Sequence, residues 1–367
     1  MLSKEKVFDG HVHCLMRIPV RESYDIYKAE FKDLQVKKAI FASCASHHDA
    51  FCDPLQNLKC LYYKARFSPN AYAYASFEIN TNLSKEEMKD DLTRQVKEYL
   101  TNGYDGMKTL LSMPKYTKYF GFNIDDERLD GVYEYLEQNG KPFLMHLAHP
   151  KYFWDLENLT EYRKQRGWFY DNTYPHFNDY FKAVFKVLDK YPNLHLFLAH
   201  WGFMGQDIEL AEKYMSYKNT KLDITPGGEQ YIYMLDNKDA WIEFIKKYSD
   251  RITYGTDQYN FDKNVEIDWK TSYHRRPDFV KQFLCTKTTH QYGSDTFTGI
   301  NLPRKYRKKI FTKNLEQELG TPQPINFDYA LAKIEERFAG FTPDTLDYYD
   351  ALSMKFDFNA LKNGKKL

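Results

Sequence analysis

The feature that most constrains the fold is the alternation of eight short apolar runs with amphipathic stretches. Between the runs, segments such as 84–103 and 125–142 carry apolar residues at helical spacing, and their stop signals are Gly103 in the first and Gly140 with Pro142 in the second. Strands that are separated by helices pair in parallel, and eight such units predict a closed (β/α)₈ TIM barrel. The predicted strands are residues 6–14, 37–45, 71–79, 104–111, 142–148, 194–201, 221–226 and 251–259.

An open doubly wound sheet is the alternative fold, but no glycine-rich fingerprint follows the first predicted strand. The 367 residues exceed the length of a minimal barrel. We assign the excess to an insertion after strand 8 (258–303) and to a C-terminal extension (321–367). Since there is no repeat or low-complexity linker, we expect one domain over 1–367, with a barrel core at about 5–320.

The stretch FDGHVHCL at residues 8–15 places three polar side chains in a strand that is otherwise apolar. Because side chains alternate along a strand, Asp9, His11 and His13 are expected on one face. Two imidazoles at i and i+2 can hold one cation. Such a pair alone more often belongs to the surface or the core than to a metal site.

Other predicted strands also end in residues that can bind a metal. His146 ends the fifth strand, His200 the sixth and Asp257 the eighth. Each has an ordinary structural interpretation, a satisfied core histidine or a turn aspartate. Their coincidence at the end of the barrel where active sites form predicts a divalent metal site, with Zn²⁺ the first choice and Mn²⁺, Fe²⁺ or Co²⁺ as alternatives.

Further polar residues near the predicted strand ends have weaker arguments. Lys108 ends the fourth strand and is either a carbamylated metal bridge or an unmodified cation, of which we favour the second. His149 is interpreted as loop polarity, with support of a ligand or contact with the substrate as the alternative, and His195 is expected at the barrel floor or against a helix. His47 and His48 are expected to open the helix after the second strand.

Composition excludes several classes of partner. Lys and Arg (52) balance Asp and Glu (51), so no global charge predicts nucleic acid or an anionic membrane surface. We find no apolar run of 18 residues and no secretory signal pattern. The five cysteines lack CxxC spacing, which favours reduced thiols and a cytoplasmic protein.

The ordered motifs resemble the amidohydrolase superfamily, on DGHVH, His146, His200 and Asp257. Within it, the chain is most similar to the amidohydrolase-related branch that includes aminocarboxymuconate-semialdehyde decarboxylase, over about residues 5–320. Ile310 and Asn314 match a helix that often closes the barrel there. The resemblance implies that His11, His13, His146 and Asp257 bind the metal and that His200 is a ligand or a catalytic base. Asp9 would then orient a histidine or the strand.

Two reactions are compatible with this resemblance. The first is hydrolysis of an amide, lactone or ester, in which metal-activated water attacks the carbonyl, Asp257 takes its proton and His200 helps to polarise the carbonyl. The second is non-oxidative decarboxylation of a small carboxylic acid, with His200 handling the proton. A non-catalytic binding protein is the third interpretation.

Substrate contacts are the least constrained part of the prediction. Arg17, Lys108 and the pair Arg275–Arg276 could bind an anionic group, and Arg275 is the member of the pair that we select. Trp201 would wall the pocket if its ring faces inward. We expect a small-molecule substrate, and the many Tyr and Phe residues would suit a homodimer.

Overall fold

The computed structural model describes residues 4–14, 18–44, 53–227, 230–258, 269–292 and 295–367. For residues 269–273, 292 and 295 it describes the backbone only. Eight strands form one parallel sheet in sequential order. They are β1 Val7–His13, β2 Val36–Ala42, β3 Ala71–Ser76, β4 Gly106–Thr109, β5 Phe143–Met145, β6 Leu196–Leu198, β7 Lys221–Asp223 and β8 Ile252–Thr253. Each lies within or overlaps a predicted strand.

Contacts between β1 and the segment after β8 close the sheet into a barrel. Val12 forms a parallel bridge with Gln258, and the Gly10 amide donates to the Tyr254 carbonyl oxygen at 2.9 Å. The Asp257 amide donates to the His11 carbonyl oxygen at 2.8 Å. The predicted (β/α)₈ barrel is confirmed, and the C-terminal ends of β1 and β8 meet at its mouth.

Helices follow the strands as the alternation predicts. They are α1 Val20–Leu34, α2 Gln56–Arg66, α3 Lys85–Thr101, α4 Pro114–Phe120, α5 Asp130–Gln138, α6 Glu161–Gln165, α7 Phe177–Lys190, α8 Ile208–Met215, α9 Gln230–Tyr233, α10 Lys238–Lys247, α11 Trp269–Cys285, α12 Arg304–Lys308, α13 Asn314–Leu319, α14 Phe327–Phe338 and α15 Leu346–Lys362. Ser84 caps α3, and its hydroxyl accepts from the Glu87 amide at 3.3 Å. No described helix is both long enough and apolar enough to cross a bilayer.

The period of two along the strands divides the core into two layers. In β3, Tyr72 and Tyr74 pack inside the barrel with residues such as Phe8 and Phe197, whereas the alternate alanines face the surrounding helices. Leu315 of α13 joins the inner cluster from below. The barrel is therefore a packed core that is covered at its floor, which leaves the mouth as the place for polar side chains.

The segment before and including α13 holds the floor. Asn314 donates from Nδ2 to the carbonyl oxygens of Ser249 (2.8 Å) and Ile252 (2.6 Å), and the Ile310 carbonyl accepts from the Tyr254 amide at 3.0 Å. The two residues of the expected closing-helix motif thus both bond to the chain around β8.

The insertion and the extension contain structure of their own. The insertion contributes α11 and a hairpin of β9 Thr289–Tyr292 and β10 Asp295–Thr298. In the extension, α15 packs on α1 and α2. The Asp350 carboxylate accepts from the Val20 amide at 2.9 Å and pairs with Lys59 at 2.9 Å, so the extension is fastened to the first helices of the barrel.

Candidate metal centre

Polar side chains from several strand ends meet at the barrel mouth. All are buried, with exposed fractions of 0% for His11, 4% for His13 and 7% for Asp257. His146 and His200 lie beside them at 9% and 5%. Buried polar groups require partners, so this cluster must be satisfied from within or by a ligand.

Three of these side chains bring their ligand atoms together. His11 Nε2 lies 3.0 Å from His13 Nε2, and Asp257 Oδ1 lies 3.1 Å from His13 Nε2 and 3.5 Å from His11 Nε2. Over the described residues, these form one of two groups whose geometry could hold a metal ion, and the only fully buried one. The i,i+2 pair and the distant aspartate thus converge as expected.

The hydrogen bonds at Nδ1 determine which way the two imidazoles face. His11 Nδ1 lies 2.6 Å from Asp223 Oδ2, and His13 Nδ1 lies 2.7 Å from the Ala42 carbonyl oxygen. Since a carboxylate and a carbonyl accept, each neutral ring carries its hydrogen on Nδ1. Both Nε2 lone pairs then point at each other and at Asp257 Oδ1. Three electron-rich atoms at this separation fit a cation.

Burial and neighbouring groups together shift the pKa values at the centre. Burial disfavours the charged ring of His13, but the neighbouring Cys44 and Asp257 outweigh burial and raise its pKa to about 10. Burial also opposes the charge on Asp257, but Arg276 and His13 hold the pKa of Asp257 well below its usual range. Without a metal ion the centre therefore keeps its carboxylate ionised and favours a second hydrogen on His13, at Nε2, in the place that a metal ion would take.

His200 is oriented in the same sense as His11 and His13. Its Nδ1 donates to the Pro226 carbonyl oxygen at 3.1 Å, which leaves Nε2 without a hydrogen in the neutral ring. A Cβ at Gly227 would lie 2.5 Å from His200 Nδ1, so only glycine permits this close approach. Burial lowers the pKa of His200 to about 3.

His146 lies one ring beyond His200. The ring centroids of His200 and His11 are 5.7 Å apart, and those of His146 and His200 are 4.8 Å apart. Neither His146 nor His200 belongs to the close group of three. Among the described residues, His146 Nε2 is buried without a hydrogen-bond partner, and burial holds the pKa of His146 well below its usual range.

Asp223 and Cys44 are site residues that the sequence reasoning missed. Asp223 ends β7, and the rule that found His146 and Asp257 would have found it too. Burial raises the pKa of Asp223 to about 6. Cys44 follows β2, and its Sγ lies 3.1 Å from His13 Nδ1. No motif marks this thiol in the sequence.

Lys108 lies at the mouth as expected. It is fully buried, and Nζ has no hydrogen-bond partner among the described residues. Burial lowers the pKa of Lys108, and the nearby Cys44 and Asp257 oppose that shift. The unmodified state of Lys108 stays a prediction.

The arginine beside the centre is Arg276 and not Arg275. Arg276 Nη1 donates to Asp257 Oδ2 and, at 3.4 Å, to the Pro226 carbonyl oxygen. Arg275 is exposed on α11. Neighbouring helical residues point about 100° apart, so the choice between them depended on the rotation of α11.

Trp201 does not wall the pocket, contrary to the sequence-based expectation. The chain leaves β6 through a short helical segment, Ala199–Phe203, so strand alternation no longer applies. The fully buried indole packs instead against Trp241 and Phe244 of α10.

Asp9 does not share a face with the two histidines. The pairing register shifts between Asp9 and Val12, which breaks the alternation. The Asp9 carboxylate accepts from the His11 amide at 3.1 Å and from the Thr256 hydroxyl at 2.6 Å. Asp9 therefore fixes β1 to the segment after β8, which is the strand-orienting role expected of it.

The remaining predicted histidines divide into two groups. His195 lies away from the mouth and pairs with Glu318 of α13 at 2.5 Å, as expected for the floor. His149 lies beside His146, with ring centroids 5.2 Å apart. Arg17, His47 and His48 fall outside the described residues.

Comparisons with known proteins address the fold. No family model and no curated protein matches the chain. Among solved structures it is similar to an uncharacterised TIM-barrel protein from Bordetella bronchiseptica, with TM-score 0.54 and 13% identity over 86% of this chain and 98% of that one. The chain shares the TIM-barrel fold.

Two further similar structures carry names. A 4-oxalomesaconate hydratase from Rhodopseudomonas palustris matches with TM-score 0.51 and 13% identity over 90% of this chain and 99% of that one. A protein described as amidohydrolase II matches with TM-score 0.50 and 14% identity over 86% and 99%. At these identities, the likenesses establish the barrel and not the reaction.

Proposed function

We propose that this chain is a metal-dependent hydrolase of the amidohydrolase type, acting on the carbonyl of a small amide, lactone or ester. The observation that carries the proposal is the convergence of His11 Nε2, His13 Nε2 and Asp257 Oδ1 within 3.5 Å of one another. In a buried site these atoms repel one another unless a proton or a metal ion lies between them. The nitrogen and oxygen donors suit Zn²⁺ first, and Mn²⁺, Fe²⁺ or Co²⁺ next.

A bound divalent metal would supply a water molecule that is acidic near neutral pH and would polarise the carbonyl. The chain's own residues do the rest. Asp223 and the Ala42 carbonyl hold the two imidazoles in the ligand tautomer, a form of support that commonly affects metal affinity 10- to 100-fold. Arg276 holds Asp257 Oδ2, which leaves Oδ1 turned toward the histidines to orient the attacking water and accept its proton.

His200 and Lys108 supply the second half of the site. His200 Nε2 is free of hydrogen in the neutral ring, so it can bind the metal or take a proton. The unpartnered Lys108 ammonium can receive an anionic oxygen of the substrate. We include the chain in the amidohydrolase superfamily on this site, and the fold it shares with the protein described as amidohydrolase II supports the assignment.

The proposal is tested first by metal analysis of the purified protein. We expect about one equivalent of a divalent metal per chain, and His11→Ala and Asp257→Ala should each lose it together with activity on a panel of amides and lactones. His176→Asn is the matched control, because His176 is an exposed histidine at the start of α7 and is not part of the group of His11, His13 and Asp257. Full metal content and activity in His11→Ala would refute the assignment.

Non-oxidative decarboxylation is the second candidate, favoured by Lys108. A buried ammonium without a partner suits a substrate carboxylate. Release of CO₂ from carboxylated substrates, without incorporation of ¹⁸O from labelled water, would replace the hydrolase assignment. Incorporation of one ¹⁸O atom into the product would support hydrolysis.

A further inference from the structure

His149 is placed at the mouth by a strained turn after β5. Ala148 has φ of 54°, which is uncommon for a residue other than glycine. The Ala148 amide donates to the Ser112 carbonyl oxygen at 3.0 Å, and the Ser112 hydroxyl donates to the His146 carbonyl oxygen at 2.7 Å. The end of β4 thus holds the turn that brings His146 and His149 to the same place.

The ring of His149 contacts the histidine cluster directly. It meets His146 edge-on, with centroids 5.2 Å apart and planes at 81°. It also lies against Phe203, which stacks on His200 at 5.3 Å. On its other side, Tyr170 stacks on His149 at 5.7 Å. His149 is therefore part of the wall of the centre and not a loop residue at a distance.

The hydrogen bond between His149 Nδ1 and Tyr170 Oη, at 2.5 Å, determines the tautomer. Tyr170 is 6% exposed, and among the described residues this is the one hydrogen bond of its hydroxyl. If the imidazole donated, the hydrogen of the buried phenol would be left unpaired, whereas His149 is half-buried and its Nε2 hydrogen stays accessible to a ligand or to solvent. Burial also raises the pKa of Tyr170, so the phenol keeps its proton. Tyr170 therefore donates, and the hydrogen of the neutral ring is on Nε2.

This tautomer is opposite to that of the neighbouring histidines. His11, His13 and His200 each donate from Nδ1 and present a lone pair at Nε2. His149 accepts at Nδ1 and carries a hydrogen at Nε2, where the described residues give it no partner. The two ring nitrogens diverge, so this N–H is directed away from Tyr170.

We propose that Tyr170 fixes His149 as an Nε2–H donor to an oxygen of the substrate, a carbonyl or carboxylate oxygen bound beside the metal. This inference rests on the proposed metal-dependent function. A ring with hydrogen on Nε2 cannot be a metal ligand through that atom, but it can stabilise negative charge that develops on an oxygen. His149 then selects for substrates with an oxygen acceptor next to the reacting carbon.

The first experiment measures the tautomer. The zinc-loaded protein is labelled with ¹⁵N-histidine, and two-bond ¹H–¹⁵N spectra are assigned with His149→Gln. We expect a His149 ring with hydrogen on Nε2 and a bare Nδ1 in the wild type and in Tyr174→Phe, the matched loss of a hydroxyl one ring away. In Tyr170→Phe, we expect a mixture of tautomers. A wild-type ring with hydrogen on Nδ1 would overturn the proposal.

The second experiment measures binding of an oxygen ligand. Acetate is titrated into the cobalt(II)-loaded protein, and the visible absorption of the metal gives the Kd. We expect His149→Leu to weaken acetate binding about tenfold, as for loss of one hydrogen bond. His149→Gln, whose amide places an N–H near the same position, should recover most of the affinity. Equal weakening in both variants would contradict the donor role.

Metal content separates this inference from the proposed function. Both His149 variants should retain wild-type cobalt content, whereas His11→Ala should lose it. A wild-type protein that takes up no metal overturns the proposed function itself. Full metal uptake, with unchanged acetate affinity in His149→Leu, overturns only the role of His149.

Discussion

The imidazoles at the barrel mouth are distinguished by the acceptor that each one faces. Asp223 and the Ala42 carbonyl take the Nδ1 hydrogens of His11 and His13, and these two acceptors lie on different strands. The chemistry of the centre thus depends on groups that would not be ligands themselves. Of the eight described non-glycine residues with positive φ, five follow β5, β6 or β8: Ala148, His200, Trp201, Phe203 and Asp257. Such backbone conformations are typical of sites whose geometry is imposed by the surrounding fold.

At the residue scale, Asp223→Asn tests the support of His11. An amide can present its nitrogen or a weaker acceptor to Nδ1, so the ring loses its fixed tautomer. We expect metal affinity to fall about 10- to 100-fold while the fold is retained. Competition with a chelator measures the affinity, and circular dichroism checks the fold. Wild-type affinity in Asp223→Asn would mean that the 2.6 Å contact does not orient the ligand.

Also at the residue scale, Lys108→Met tests the role of the unpartnered Lys108 ammonium at the barrel mouth. Removing a buried charge without a partner should stabilise the metal-free protein by about 1–3 kcal/mol in urea unfolding and reduce activity. Lys64→Met is the matched control. Lys64 is also buried, but it pairs with Asp105 at 2.7 Å, so its loss should destabilise the protein by about 3 kcal/mol. The same sign for both variants would contradict the assignment of Lys108.

At the element scale, α13 connects the barrel floor to the strands. The Glu318 carboxylate of this helix pairs with His195, in the segment before β6, and with Lys221 of β7. Asn314, one turn earlier, caps the carbonyls near β8. One short helix therefore bonds to three neighbouring parts of the barrel, which explains why a floor helix of six residues is stable.

Glu318→Gln tests this connection through its pH dependence. Burial opposes the charge on Glu318, but His195 and Lys221 outweigh it and lower its pKa below the ordinary 4.5. A carboxylate with a lowered pKa in the folded state contributes stability above its ordinary pKa and loses it as the pH falls through the folded value. We expect the variant to be about 3 kcal/mol less stable at pH 7, a deficit that shrinks below pH 4.5.

Glu316→Gln provides the control on the same helix. Glu316 is about one-third exposed and pairs with Lys313 at the surface, so its loss should cost less than about 1 kcal/mol at any pH. Urea unfolding at several pH values measures both variants. A deficit of Glu318→Gln that grows as the pH falls would reverse the sign and exclude this account.

At the scale of the whole molecule, the C-terminal extension returns to the first helices of the barrel. Asp357 of α15 accepts from Arg21 at 2.6 Å, from Tyr62 at 2.8 Å and from Arg66 at 3.1 Å. Its side chain is 2% exposed, so three donors from α1 and α2 satisfy one buried carboxylate. The extension and the barrel should therefore unfold together.

Asp357→Asn tests this coupling. Loss of the buried charge leaves Arg66 without its counterion, and we expect destabilisation by about 3 kcal/mol together with faster proteolysis within residues 321–367. Asp328→Asn is the control, because Asp328 pairs with Lys362 at the surface. An unfolding curve of Asp357→Asn with two separate transitions would show that the extension is an independent unit.

The sequence by itself determined the barrel and the strand ends that carry its chemistry. Both are local properties, because the alternation of strands and helices is visible in windows of ten to twenty residues. Parallel strands of a barrel all end at one face, so His11, His146, His200 and Asp257 could be placed together without knowledge of the packing.

The tertiary structure decided which atoms meet. The register shift in β1 placed the Asp9 side chain on a different face from that of His11. The rotation of α11 brought Arg276 to the centre in place of Arg275, and the turn after β6 directed Trp201 outward. The partners of Nδ1, Asp223 and Tyr170 among them, come from distant parts of the chain. Periodicity predicts the side of an element on which a residue lies. Closure of the barrel fixes the distances between side-chain atoms of different strands. Those distances decide which hydrogen bonds form, and the hydrogen bonds determine the tautomers and the candidate ligands.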